Sequence, residues 1–192
     1  MKQEKVKQKV STKVLTFIAL GITMNMVGGF VALQLKLPIY LDAIGTLMVA
    51  CLLGSKYAVL TGIGSNLIGG FTTDPYALYF IPAQMLTGLI AGIIYEKGML
   101  RGRKLPLGTL ILTLPTSLLS ATIAAFVFGG VTSSGSSYIV QVLKVLGIPD
   151  VLSVWSTQIL TDYIDKLVSI CLVGSVLKVC PSSFKAYIRS KC

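Results

Sequence analysis

Residues 109–131 read TLILTLPTSLLSATIAAFVFGGV and contain no charged side chain. An apolar segment of about 18 residues or more is long enough to cross the hydrocarbon core of a bilayer as an α-helix. Five more apolar segments surround it, at residues 14–35, 39–53, 57–71, 76–95 and 151–179. The sequence therefore predicts an all-α integral membrane bundle of six transmembrane helices.

Composition supports the same fold class. The chain has 192 residues, of which 12% are charged, and a mean hydropathy of +0.81. A soluble domain carries roughly a quarter charged residues. We therefore expect a single membrane domain over residues 1–192, with a basic head at residues 1–13 and a basic tail at residues 180–192. No hydrophilic stretch is long enough for a soluble catalytic domain.

The positive charges predict the orientation of this bundle. The chain has 17 Lys and Arg residues against 7 Asp and Glu, which gives a net charge of +10. With six crossings and the N-terminus inside, the head, the turn at Lys56, the loop at residues 97–104 and the tail counted with Lys178 carry 14 of the 17. Cytoplasmic loops are enriched in Lys and Arg. The charges thus indicate two cytoplasmic termini, and no nucleic-acid partner is expected.

Motifs of catalysis and metal binding are missing from the sequence. There is no His, and none of the four Cys residues forms a CxxC pair or a metal-binding spacing. No phosphate-binding loop of the GxxxxGK[ST] type occurs, so the chain is not expected to hydrolyse ATP itself. We expect no enzymatic activity, no cofactor and no metal site.

The last apolar segment carries polar residues that should not face lipid. Residues 155–166 read WSTQILTDYIDK, with three charges in an otherwise apolar span. Such charges must face protein, water or each other. Asp162 and Lys166 are four residues apart and can form an ion pair. One helix face carries Trp155, Gln158, Asp162, Asp165 and Ser169. This face must point into the bundle, either as the wall of a ligand pocket or as a structural ion pair between helices.

Other spans also contain residues that need an explanation. The glycines of the third segment, at positions 62, 64, 69 and 70, predict close helix packing. Asn25, Asn66 and Gln84 carry amides that need partners in lipid. Tyr76 and Tyr79 lie near the predicted outer interface, where aromatic belts are common. The same rings could stack on a flat ligand.

Several of these residues belong to runs that resemble a known family. The runs are YLDAIGT at residues 40–46, LG at residues 53–54 and GSNLIGG at residues 64–70. An Asp-Lys pair at residues 165–166 is followed by an apolar run and a basic tail. Together with the size, the six spans and the charge layout, these runs resemble the substrate-binding S components of energy-coupling factor (ECF) transporters over nearly the whole chain.

The resemblance implies a function and a set of partners. An S component lies in the bacterial plasma membrane and captures a vitamin or related nutrient from outside. A membrane coupling protein and two cytoplasmic ATPases supply the energy. A small-xxx-small pattern on the first helix docks the coupling protein, and its nearest match here is Ala19 with Thr23. With Asn66 included, the expected substrate-binding residues are Asn66, Tyr76, Tyr79, Gln84, Trp155, Gln158 and Asp162.

Two other functions use a similar bundle. A ligand-binding membrane sensor or regulatory domain would bind without transport, and an autonomous small carrier or channel would transport without partner subunits. The cargo stays open as well. Aromatic rings and carboxylates suit a ring-bearing, hydrogen-bonding compound, either with or without a basic nitrogen. Pyridoxine-like, pyrimidine, riboflavin-like and queuosine-type compounds all fit this description.

Overall fold

The computed structural model describes residues 11–180, and within this range the chain is helical with no strand. The all-α prediction is therefore confirmed. Two short 3-10 helices, Pro75–Phe80 and Gly102–Lys104, lead directly into longer α-helices. The α-helices are α1 (Thr12–Gln34), α2 (Ile44–Leu53), α3 (Ser55–Thr72), α4 (Ile81–Glu96), α5 (Leu105–Phe128), α6 (Ser136–Val145) and α7 (Asp150–Val179).

Within residues 11–180, three helical segments are long and apolar enough to cross a membrane. They are Thr12–Gln34, Pro75–Glu96 and Gly102–Phe128, and the last two include the 3-10 helices. α2 is apolar, but its 10 residues are too few to cross a bilayer alone, because a crossing takes about 20. α7 has the length, yet it carries charges in its middle. The described part of the chain is thus all-helical and contains helices that are able to cross a membrane by length and composition, and the number of six crossings stays a prediction.

Two regions differ from the sequence-based expectation. The second predicted segment begins at residue 39, whereas α2 begins at Ile44 after a linker in which Leu41 has a φ of 52°. The predicted loop between the fifth and sixth segments contains α6. This helix is too short and too polar to read as a span, because Gln141 and Lys144 interrupt it. One of its apolar side chains, Val145, is 88% exposed.

Small residues bring the first four helices into close contact. A Cβ atom added to Gly45 of α2 would lie 1.9 Å from the carbonyl oxygen of Gly21 of α1. On α3, added Cβ atoms at Gly62, Gly64 and Gly70 would lie 3.0 Å or less from a neighbouring residue. Close packing is thus confirmed at these three glycines. At Gly69 the nearest atom would be 3.8 Å away, which is an ordinary contact.

The basic residues of the described chain are concentrated at one end of the bundle, which we call the basic end. A cavity lined by Leu47, Tyr95, Leu105 and Leu177 shows that α2, the C-terminal ends of α4 and α7 and the start of α5 meet there. Seven of the ten basic residues within positions 11–180 lie at helix ends on this side: Lys13, Lys56, Lys97, Arg101, Arg103, Lys104 and Lys178. Of the same ten residues, only Lys36 and Lys144 lie at the opposite end.

Candidate binding cleft

A polar cleft opens at the end of the bundle opposite the basic end. The space between its lining residues, with the open solvent at its mouth included, is about 620 Å³. Its walls come from the linker after α1, from α3 and the linker that follows it, from the segment after α5, and from the adjoining halves of α4, α5 and α7. Its polar lining consists of Tyr40, Asp42, Asn66, Asp74, Tyr76, Gln84, Thr87, Thr116, Ser120, Thr132, Ser133, Gln158, Asp162 and Lys166. A neighbouring cavity beside α1 shares Tyr40, Asp42, Asn66 and Asp74 with it.

Five of the seven expected substrate-binding residues line this cleft. They are Asn66, Tyr76, Gln84, Gln158 and Asp162. They come from α3, from the 3-10 helix before α4, from α4 and from α7. Residues that are far apart in the sequence therefore share one polar space.

Tyr79 and Trp155 lie outside the cleft lining. Tyr79 is 54% exposed and packs edge-on against Phe128, with ring centroids 5.0 Å apart. Tyr76 packs on the same ring from the cleft side, at 4.8 Å. Trp155 packs against the apolar cluster that contains Ala121 and Val154. Its position one turn above Gln158 therefore does not bring its ring into the cleft.

Asp162 is held by hydroxyl groups of α5. Its Oδ2 accepts hydrogen bonds from Ser117, at 2.6 Å, and from Ser120, at 3.3 Å. The prediction of an ion pair between Asp162 and Lys166 is wrong. The Lys166 ammonium pairs instead with Asp165, at 3.3 Å from its Oδ2. Close packing of α5 on α7 supplies Asp162 with partners that spacing along one helix cannot reveal. Its side chain is nevertheless buried, as the inward-facing stripe predicts.

Asp165 has a structural role in the linker before α2. It is fully buried, and its Oδ1 accepts backbone hydrogen bonds from Tyr40, at 3.2 Å, and Leu41, at 2.7 Å. Leu41 has a positive φ, which is uncommon for residues other than glycine. The carboxylate thus fixes the linker in a conformation that places Tyr40 and Asp42 at the cleft.

Asn25 also has a structural explanation. Its Oδ1 accepts hydrogen bonds from the N–H groups of Gly45, at 2.7 Å, and Thr46, at 3.2 Å. These are donors in the first turn of α2, which have no partner within their own helix. Its Nδ2 donates to the hydroxyls of Thr46 and Ser65. Asn25 therefore joins α1, α2 and α3.

Three other amides hold the linkers around the cleft. Asn66 donates to the carbonyl of Ala77 at 3.0 Å, and Gln84 donates to the carbonyl of Asp42 at 3.0 Å. Gln158 donates to the hydroxyl of Tyr40 at 3.2 Å. The Oε1 atom of Gln84 is buried and has no hydrogen-bond partner within residues 11–180. A buried acceptor without a partner is costly, so this atom is suited to accept a hydrogen bond from a ligand.

The segment between α5 and α6 is hydrogen-bonded across the mouth of the cleft. Ser133 donates to Oδ2 of Asp74 at 2.5 Å. The hydroxyl of Ser136 lies 3.3 Å from that of Tyr40. An added Cβ at Gly135 would lie 2.0 Å from the carbonyl of Lys36, so the segment passes directly over the linker after α1. These contacts join three loops above the cleft.

The sequence-based site omitted several residues that line the cleft. Tyr40 and Asp42 belong to the YLDAIGT run, but we expected them at the start of a span. Asp74 could have been included, since three aspartates, Asp42, Asp74 and Asp150, fall on the predicted outer side. Thr116 and Ser120 are hydroxyls four residues apart in an apolar span. That spacing was the available signal, since it places both on one helix face.

Ala19 and Thr23 lie on the exposed face of α1, away from the cleft. The hydroxyl of Thr23 donates to the carbonyl of Ala19 at 3.0 Å, so this polar group is satisfied within the helix. Both side chains are small, which permits close approach of another helix at this face.

Comparison with family models, with curated proteins and with solved structures finds no match to this chain. Within residues 11–180 the chain is all-helical, has three helical segments long and apolar enough to cross a membrane, and carries a polar cleft opposite its basic end. Within residues 11–180, no group of three or more His, Cys, Asp or Glu side chains is placed to hold a metal ion.

Proposed function

We propose that this chain is the substrate-capture subunit of an ECF-type transporter in the bacterial plasma membrane. In this proposal it crosses the membrane six times, with the basic end in the cytoplasm. The cleft faces outward and binds a vitamin or related small nutrient. The observation that carries the proposal is that five of the seven residues expected to bind substrate, from Asn66 to Asp162, line a single cleft.

The burial of these residues supports a binding role. Gln84, Gln158 and Asp162 are each 5% exposed or less, although their polar groups surround an open space. Burial of such polar groups in a membrane protein costs desolvation free energy. A polar ligand bound in the cleft can offset this cost.

Energy for uptake would come from other subunits. In the proposed assembly, a membrane coupling protein contacts the α1 face at Ala19 and Thr23, and two cytoplasmic ATPases bind that coupling protein. A bulky side chain on this face would block close helix contact without touching the cleft. We expect the double substitution A19F/T23F to abolish co-purification of the coupling protein and the ATPases, while ligand affinity stays within about twofold of wild type.

The matched control is L160F, which enlarges an exposed side chain on α7. Leu160 is 62% exposed and also faces away from the bundle. This variant should keep its partner subunits. If the wild-type protein purifies from native membranes with no coupling protein and no ATPase, the transporter assignment fails. Ligand binding without partners would then favour a sensor, and uptake without partners would favour an autonomous carrier.

A further inference from the structure

The cleft is lined by more negative than positive groups. The carboxylates of Asp42, Asp74 and Asp162 line it, and Lys166 is the one cation in its lining among residues 11–180. Lys166 forms its ion pair with Asp165, which lies behind the lining. Three lining carboxylates therefore share a single ammonium group that is already paired.

No other described cation compensates this excess. Of the two remaining basic residues at this end, Lys144 pairs with Asp150 at 3.3 Å and donates to the carbonyl of Gly129. Lys36 is exposed, and its side chain is not part of the cleft lining. A buried carboxylate without a neighbouring cation is costly, so the site as a whole favours a positively charged ligand.

Four of the hydroxyl groups that line the cleft already donate their hydrogen bonds to protein acceptors. The hydroxyls of Thr87 and Thr116 donate to carbonyls of their own helices, each at 2.9 Å. Ser120 donates to Asp162, and Ser133 donates to Asp74. Their oxygen atoms can still accept hydrogen bonds. The hydroxyl groups thus make the wall a surface of acceptors.

Three acceptor groups in the cleft have capacity to spare. Both hydroxyls that bind Asp162 donate to Oδ2, and no group within residues 11–180 donates to Oδ1. The carboxylate of Asp42 accepts no hydrogen bond from another described residue. The Oε1 of Gln84 is buried without a partner. A matching ligand must supply N–H or O–H donors together with positive charge.

We propose that the cleft selects a small organic cation that carries N–H donors, such as a protonated amine, amidine or ring nitrogen. Its charge would lie between Asp42 and Asp162, and one N–H would reach Oε1 of Gln84. The rings of Tyr76 and Phe80 also line the cleft and can hold a cation by cation–π attraction. Anions are excluded by repulsion from the carboxylates. This inference rests on the proposed capture function.

The test uses three probes of the same shape that differ in charge. Benzamidine is a cation, benzamide is neutral and benzoate is an anion. Full-length protein in lipid nanodiscs is first examined by native mass spectrometry for a retained small molecule, then depleted of it and titrated with each probe. We expect the retained molecule to be a cation at pH 7. We expect benzamidine to bind at least tenfold more tightly than benzamide, and benzoate more weakly than either.

Variants tie the charge preference to the cleft. Both D42N and D162N should reduce the preference for benzamidine over benzamide by about threefold or more. D150N is the control, since Asp150 lies outside the cleft and should leave that preference unchanged. A neutral or anionic retained molecule, or equal binding of benzamidine and benzamide, would overturn the cation inference and leave the capture function intact. A protein that retains nothing and binds none of the probes would overturn both.

Discussion

The backbone N–H of Leu41 donates a 2.7 Å hydrogen bond to Oδ1 of Asp165, a residue 124 positions further along the chain. This bond, with the one from Tyr40, joins the linker before α2 to the middle of α7. The same carboxylate pairs with Lys166 through its other oxygen. One buried side chain therefore controls both the position of the linker and the placement of the cation in the cleft wall.

Replacing Asp165 should destabilise the fold. D165A removes two hydrogen bonds to a charged acceptor and leaves the Lys166 ammonium without its ion pair. Breaking a buried pair from one side costs about 3–5 kcal/mol, so we expect a large fall in melting temperature. The control is S169A, one turn further along α7, because Ser169 is fully buried and its hydroxyl has no partner within residues 11–180. Equal melting temperatures for the two variants would refute this role for Asp165.

Close contact between α1 and α2 should depend on glycine at position 45. In G45A the added Cβ would lie 1.9 Å from the carbonyl of Gly21, so the two helices must separate. Overpacking of this kind costs about 1–3 kcal/mol. G174A on α7 is the matched control, since nothing lies within 4 Å of its added Cβ. Thermal unfolding should show a clear loss for G45A and little change or a gain for G174A, because alanine favours helix.

The sequence predicts the parts of this structure that depend on local patterns, and it does not predict contacts between different helices. Apolar length predicts α1, α4 and α5, because a membrane crossing needs a long run without charge. Helical spacing correctly predicts that the Asp162 side of α7 is buried. It assigns the wrong partner to Asp162, because spacing within one helix says nothing about Ser117 and Ser120 on α5.

The candidate site was predictable for similar reasons. Asn66, Gln84 and Asp162 are polar residues in apolar spans. Such residues stand out in the sequence, and they are expected to face a partner or a ligand rather than lipid. Tyr40 reaches the cleft only because Asp165 holds its linker, which is a tertiary contact with no local signal. The positions of α6 and of the Ser133 loop depend in the same way on contacts between distant segments.

Orientation in the membrane can be tested by cysteine labelling. Ser136, in the expected outer loop, is only 2% exposed and is a poor labelling site, whereas Val145 is 88% exposed at the cleft end. In a variant with the native cysteines replaced by serine, V145C should react with a membrane-impermeant maleimide in intact cells. K104C, at the basic end, should react only after lysis.

The opposite pattern of labelling would place the cleft on the cytoplasmic side and remove the basis for capture from outside. Tags at Met1 and Ser190 are also expected to be protected in intact cells, and both positions lie outside the described residues. Reactivity of V145C and K104C from the same side would exclude the predicted arrangement of crossings between them.

The central claim is that the cleft binds a small molecule through Asp162. The most direct measurement is the affinity of D162N for the small molecule that native mass spectrometry finds on the wild-type protein, with melting temperature recorded on the same sample. Because an asparagine oxygen can still accept from Ser117 and Ser120, the fold should survive with a melting temperature near that of wild type. Loss of the charged acceptor should weaken binding by roughly tenfold or more, which corresponds to about 1.4 kcal/mol. Unchanged affinity in a folded D162N protein would contradict the claim.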